Sequence, residues 1–306
     1  MIAGPQGTAI AEGLGTADAG APEVHVVSWR DELRRRLSRD RMATAGLVFL
    51  VLLIAASVAA PLLGLKDPLR IVPIDRLAPP GSPGHLLGAD EQGRDMLSRL
   101  VWGGRTSLIT GIAPVALGGA IGGLLGLTAG YYGGWVRAAT MRTLDVFFTF
   151  PAVLLAIAIA AVLGPGVRNL ILALVVVLIP AVARVAENAA VAVRGREYIE
   201  AARASGASNG RIMLQQFLPH AAPPVVAYCF TLIGPVIVVA AGLSFLGLGQ
   251  EPPYPEWGLM LNRLLPSLYV APVTSALPGV PILLTALAFD LLGNALRDML
   301  DPRLAE

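Results

Sequence analysis

EYIEAARASGASNGRIMLQQFLPH, residues 197–220, is a polar, arginine-bearing island between two strongly apolar runs. If those runs cross a bilayer, the island is a loop on the cytoplasmic side. Its first half, Glu197 to Ser205, is rich in Ala, Glu and Arg and predicts a short helix, which Gly206 interrupts because a glycine backbone turns at little steric cost. A second helical piece follows, capped by Ser208 or Asn209, with Ile212, Met213 and Phe217 at one-face spacing and Pro219 at its end. Helix, glycine break, helix makes a compact knob. One reading makes it a plain connector. The other makes it a docking element, in which Ala201 and Ala202 let a helix sit close inside a cleft on another protein while Glu200, Arg203 and Arg211 fix its orientation.

The rest of the chain decides the class. It has 306 residues, 55% of them hydrophobic and 14% charged, with a mean hydropathy of +0.67. Charged residues make up about a quarter of an average soluble chain, so the composition is that of an integral membrane protein, and the long apolar runs predict an all-α one. The net charge of +2 says less than the placement of the arginines. The single cysteine, Cys229, lies inside an apolar run and permits no intrachain disulfide. His25, His85 and His220 are far apart and have no metal-ligand spacing, so no metal site is expected. Nor is a nucleic-acid partner. Lys66 is the only lysine and stands outside any GxxxxGK[ST] pattern, so this polypeptide is not itself a P-loop ATPase.

Taken in order, residues 1–28 are rich in Gly, Ala and Pro and predict a disordered cytoplasmic tail. Residues 29–42, WRDELRRRLSRDRM, form a basic juxtamembrane helix with six arginines ahead of the first span, about 43–63. A mixed outer segment, Gly64 to Thr106, ends in a glycine-bounded acidic turn with Asp90, Glu91 and Asp95. After it, Met96, Leu97, Leu100 and Val101 suggest a solvated interfacial helix rather than a calcium loop. Further spans are expected at about 108–129, 146–163, 170–186, 225–246 and 274–296. Gly118, Gly122, Gly126 and Gly130 recur at i+4 spacing and predict a close helix–helix seam. Arg184 and Glu187, three apart, are expected to pair at the surface. Gly234 and Pro235 at mid-span, with Asp290 and Asn294 near the inner end of the last span, are candidates for pathway or gating residues.

Counting Lys and Arg tests the orientation. The segments taken as inside hold fourteen, namely the six of 30–41, Arg137, Arg142, Arg194, Arg196, Arg203, Arg211, Arg297 and Arg303. Those taken as outside hold eight, Lys66, Arg70, Arg76, Arg94, Arg99, Arg105, Arg168 and Arg263. The sign puts both termini in the cytoplasm. An ion-gradient-driven secondary transporter would need a relay of intramembrane ionisable groups, for which only Asp290 qualifies. An intramembrane enzyme would need a catalytic constellation that is missing.

The island resembles the coupling loop of bacterial ABC importer permeases: EAA, three residues, Gly, nine residues, Ile, one residue, Leu-Pro. Glu200, Ala201, Ala202, Gly206, Leu218 and Pro219 match, and Gln216 replaces the usual Ile. Residues 85–108 (HLLGADEQGRDMLSRLVWGGRTSL), 242–261 (GLSFLGLGQEPPYPEWGLML) and 278–304 (PGVPILLTALAFDLLGNALRDMLDPRL) are similar to the second permease subunit of the dipeptide, oligopeptide and nickel importer group. Relatives commonly exchange the identities of Asp290 and Asn294. The resemblance covers about residues 29–304. It implies a six-span permease domain, 43–304, in the bacterial inner membrane, with a cytoplasmic coupling loop at 194–220. It also implies a homologous second permease, two ATP-binding subunits that carry the ATP and Mg, an extracytoplasmic substrate-binding protein, and a peptide or related small solute as cargo. This chain would hold no cofactor and perform no bond chemistry.

Overall fold

The computed structural model describes residues 40–300. The tail at 1–28, most of the basic segment 29–42 and the terminal residues 301–306 lie outside the described residues. No β-strand forms among the described residues, only two isolated bridges in the segment before the second long helix. Among the described residues, five helices are long and apolar enough to cross a membrane, and six spans result if one bent pair counts as a span.

Helix α1 (Arg41–Val58) starts at Asp40, whose Oδ1 accepts from the amides of Met42 and Ala43 at 3.0 and 3.1 Å. Helix α2 (Met96–Tyr132) has 37 residues and so is about 55 Å long. It outruns a bilayer of about 40–45 Å including headgroups. A separate interfacial helix ahead of a span at 108–129 is therefore replaced by one continuous element. Gly104 within it serves packing: a Cβ there would run into Ser57 Oγ. The start of α2 is not solvated either. Met96, Ser98 and Arg99 are all buried.

The third span is broken. Helix α3 (Gly134–Asp145) continues as a 3₁₀ turn, Val146–Thr149, and is bent by 88° relative to α4 (Ala152–Leu163). The break falls at Phe150, in extended conformation ahead of Pro151, whose ring disfavours a helical residue before it. Helix α5 (Val167–Arg194) runs unbroken past Arg184. A short helix α6 (Glu197–Ala204), a turn, a single turn α7 (Asn209–Ile212) and a π-helical segment, Met213–Phe217, lead directly into α8 (Leu218–Phe245). Pro219 does not end this element. It sits in the first turn of α8, where its missing amide costs nothing. A short helix α9 (Trp257–Leu264), one turn α10 (Pro272–Ala276) and α11 (Gly279–Leu300) complete the described residues.

α2, α5 and α8 form the centre, and α11 lies along α8. The glycine row of α2 faces α5. A Cβ at Gly118 would lie 3.0 Å from that of Leu178, and one at Gly122 would lie 2.6 Å from Ile179 O. At Gly126 and Gly130 it would run into Ala183 O and Ala190 Cβ. Apolar lipid offers no hydrophobic drive for helices to associate, so backbone proximity of this kind supplies the packing energy.

Candidate functional site

The turn between α6 and α7 follows from Gly206. Its φ is +77°, in the left-handed region, and the amide of Ala207 reaches back to Ala202 O at 3.1 Å while that of Gly206 reaches Arg203 O at 3.0 Å. This is the glycine-terminated helix end that satisfies orphan carbonyls. Ser208, not Asn209, caps α7, accepting from the Arg211 amide at 3.4 Å.

α6 has two unlike faces. Ile199 and Ala202 point inward into a small core with Ile212, Phe217, Ala221, Ala190 of α5 and Tyr131 of α2. Glu197, Glu200, Ala201 and Ala204, at one-face spacing, are exposed, as are Arg203, Gly206 and Pro219. Ala202 therefore cannot press on a partner as Ala201 can. Leu214 is 67% exposed on the π segment, and Leu218 beside it is 36% exposed. Arg211 is exposed, with its Nε donating to Gln215 Oε1 at 3.0 Å. Gln216, in the position of the usual Ile, lies within the π segment with its Oε1 buried and unpartnered.

Tyr131 ties the knob to the bundle. Its ring meets Phe217 edge-on at 4.9 Å, its hydroxyl lies 3.3 Å from Asn209 Oδ1, and the Arg203 guanidinium sits 5.9 Å from its centroid. The reading of the sequence missed this residue, although the YYGG run closing an apolar stretch was a signal. It also mispaired Arg184 and Glu187. Arg184 bonds Asp145, and the buried Glu187 accepts from Arg137, so two ion pairs fasten the α3 region to α5.

Gly234 is buried in α8 where a Cβ would lie 2.6 Å from Ala286 O of α11, which makes it a packing residue. Pro235, Asp290 and Asn294 are exposed, and Asn294 Nδ2 is 3.4 Å from Asp290 Oδ2.

At the far end of α2 the acidic turn is paired internally. Asp90 Oδ2 lies 2.6 Å from Arg94 Nε and 3.1 Å from Arg99 Nε. His85 bridges Asp95 at 2.9 Å and Asp75 at 3.2 Å. Among the described residues, no group of His, Cys, Asp and Glu is arranged to hold a metal. The segment after α8 clamps onto the same end. Trp257 Nε1 donates to Leu100 O at 2.9 Å, and Glu256, 1% exposed, accepts from the amides of Gly258 and Leu259 and from Ser107 Oγ. Burial pushes the Glu256 carboxyl above the usual range, with those donors pulling the other way. The knob and this clamp thus occupy opposite ends of the bundle.

The family described as "Binding-protein-dependent transport system inner membrane component" matches residues 122–306, and the "N-terminal TM domain of oligopeptide transport permease C" matches residues 28–80. A glutathione transport system permease protein, GsiD, of Pectobacterium atrosepticum is 44% identical over 276 residues, covering 90% of this chain and 91% of that protein. GsiD of Escherichia coli is 43% identical over 273 residues, covering 89% and 90%. A chain of the methionine ABC transporter MetNI, solved in inward-facing conformations, shares the fold with a TM-score of 0.52 at 22% identity, covering 66% of this chain and 97% of that one. These matches leave no place for an ion-gradient-driven carrier. The chain belongs to the inner-membrane components of binding-protein-dependent transport systems, as a multi-pass ABC importer permease of the peptide and oligopeptide group.

Proposed function

We propose that the chain forms one half of the pathway of an importer for peptides or a related small solute, with both termini in the cytoplasm and the knob at 194–220 docked on a separate ATP-binding subunit. A homologous second permease supplies the other half, and an extracytoplasmic binding protein delivers cargo at the Glu256 end. ATP and Mg belong to the ATP-binding subunits. The names of the relatives make glutathione, itself a tripeptide, the first cargo to test.

The observation that carries this reading is the two-faced α6. Its inner face is packed on Tyr131 and Phe217, and its outer face, Glu197, Glu200, Ala201 and Ala204, is uncovered. A push on that outer face travels to α2 through Tyr131 and to α8 through the continuous helical path from Asn209. Closure of the ATP-binding pair would then rock the spans between inward-open and outward-open. By linkage, loaded binding protein favours that closure. Gly206 shapes the turn, Glu200 and Arg203 orient the dock, and Leu218 and Pro219 carry the connection into α8. Pro235, Asp290 and Asn294 face the pathway, backed by the close α8–α11 contact at Gly234.

The test is the assembled importer in vesicles, with uptake of labelled glutathione and short peptides measured beside ATP hydrolysis. Glu200→Lys or Gly206→Val should cut uptake per ATP by about 5- to 150-fold, the usual span of a coupling free energy. Unchanged uptake in both variants would remove the docking role.

A further inference from the structure

At the knob end of the bundle, α3 and α5 enclose a groove of about 420 Å³ that the coupling mechanism does not use. Gly134, Arg137, Ala138, Met141 and Arg142 line one wall and Arg184 the other. Arg137 and Arg142 of α3 and Arg184 of α5 all line it, so three arginines border a single space. Two of them have a carboxylate: Arg137 bonds Glu187 and Arg184 bonds Asp145. Among the described residues, Arg142 has none. Three arginines against two acids leave the groove positive. Arg137 and Arg184 remain 50% and 42% exposed, so guanidinium donors beyond those spent on the acids are open to a ligand.

The surroundings put the groove at the depth of lipid headgroups. α3 and its 3₁₀ extension lie at 88° to α4, so if α4 enters the bilayer, α3 lies along the interface. Tyr132 and Trp135 beside the groove are 56% and 81% exposed, and Phe148 and Phe150 beyond it are 55% and 57% exposed. Exposed Tyr and Trp collect where apolar and wet surroundings meet. Arginine forks match the oxygens of a phosphate, and basic pockets between spans take anionic headgroups.

We infer that this groove binds a phosphate group, with the phosphodiester of an anionic phospholipid as the carrier its depth favours and free phosphate as the other source. Such a headgroup bridges α3 and α5 and holds the broken third span against the helix that leads into the knob. The test uses the assembled importer with the full-length chain. It is reconstituted in phosphatidylcholine, alone or mixed with phosphatidylglycerol, and the lipid retained after re-extraction is quantified by mass spectrometry. Arg142 is the residue to change, because its removal orphans no carboxylate. Arg142→Gln should retain about fivefold less phosphatidylglycerol than the wild type, the worth of one arginine at an anionic surface. Arg142→Lys should fall between, since a point charge replaces a fork. In a second arm, melting in phosphatidylcholine alone is compared in inorganic phosphate and in chloride at equal ionic strength. An Arg142-dependent rise there assigns free phosphate as the source. Equal lipid retention by wild type and Arg142→Gln, with no Arg142-dependent response to phosphate, overturns the inference.

Discussion

Ala201 and Ala202 are neighbours in the same short motif but face opposite ways, and enlarging each to Leu separates a docking surface from a packing surface. Ala202 is 9% exposed and meets Ile199, Ile212, Phe217 and Tyr131. Three extra carbons there overfill a packed core at a cost of about 1–3 kcal/mol. Ala201 is exposed, so the same change should leave stability within about 0.5 kcal/mol. It should instead block the close approach of a partner. Thermal melting of the purified assembly should thus fall for Ala202→Leu and hold for Ala201→Leu, while uptake per ATP hydrolysed falls sharply for Ala201→Leu. A lower melting temperature for Ala201→Leu, or normal uptake by it, would refute the assignment of faces.

Two further outcomes are expected. Arg137→Gln leaves the buried Glu187 without its cation and should cost about 1–3 kcal/mol, less than a fully buried pair because Arg137 is half exposed; pairing it with Glu187→Gln should restore most of the loss, as read from melting of the single and double variants. Glu256 titrates above the ordinary glutamate value of 4.5 because it is buried, so its contribution to stability is present below that value and is lost as pH rises through the raised one. Melting temperature measured across acid to neutral pH should therefore fall less in Glu256→Gln than in the wild type, and identical slopes would show that Glu256 is not the group responsible.

What the sequence made legible was local. The α6 end at Gly206 follows from one residue's freedom to adopt a positive φ, and the row from Gly118 to Gly130 announces a face that something must approach closely. The membrane class follows from composition. What escaped depended on distant partners. Tyr131 is 78 residues from Asn209, and nothing in its own neighbourhood says that the knob will fold over it. Ala202 turns inward because Phe217 and Ile212 return beneath it, a contact that the EAA pattern alone does not encode. Arg184 and Glu187 have the spacing of a helix pair, yet each found a better partner in the α3 region. The third span shows the reverse failure. Pro151 was visible, but the apolar run around it suggested a helix that the residue before a proline resists.

Cross-linking tests the coupling claim most directly. In an assembly otherwise free of cysteine, Ala201→Cys should form a disulfide with a cysteine placed in the groove of the ATP-binding subunit, and uptake should stop until reductant is added. Ala202→Cys, buried against Tyr131 and Phe217, should not be trapped. Equal trapping of both, or none from Ala201→Cys while uptake proceeds, would contradict the account.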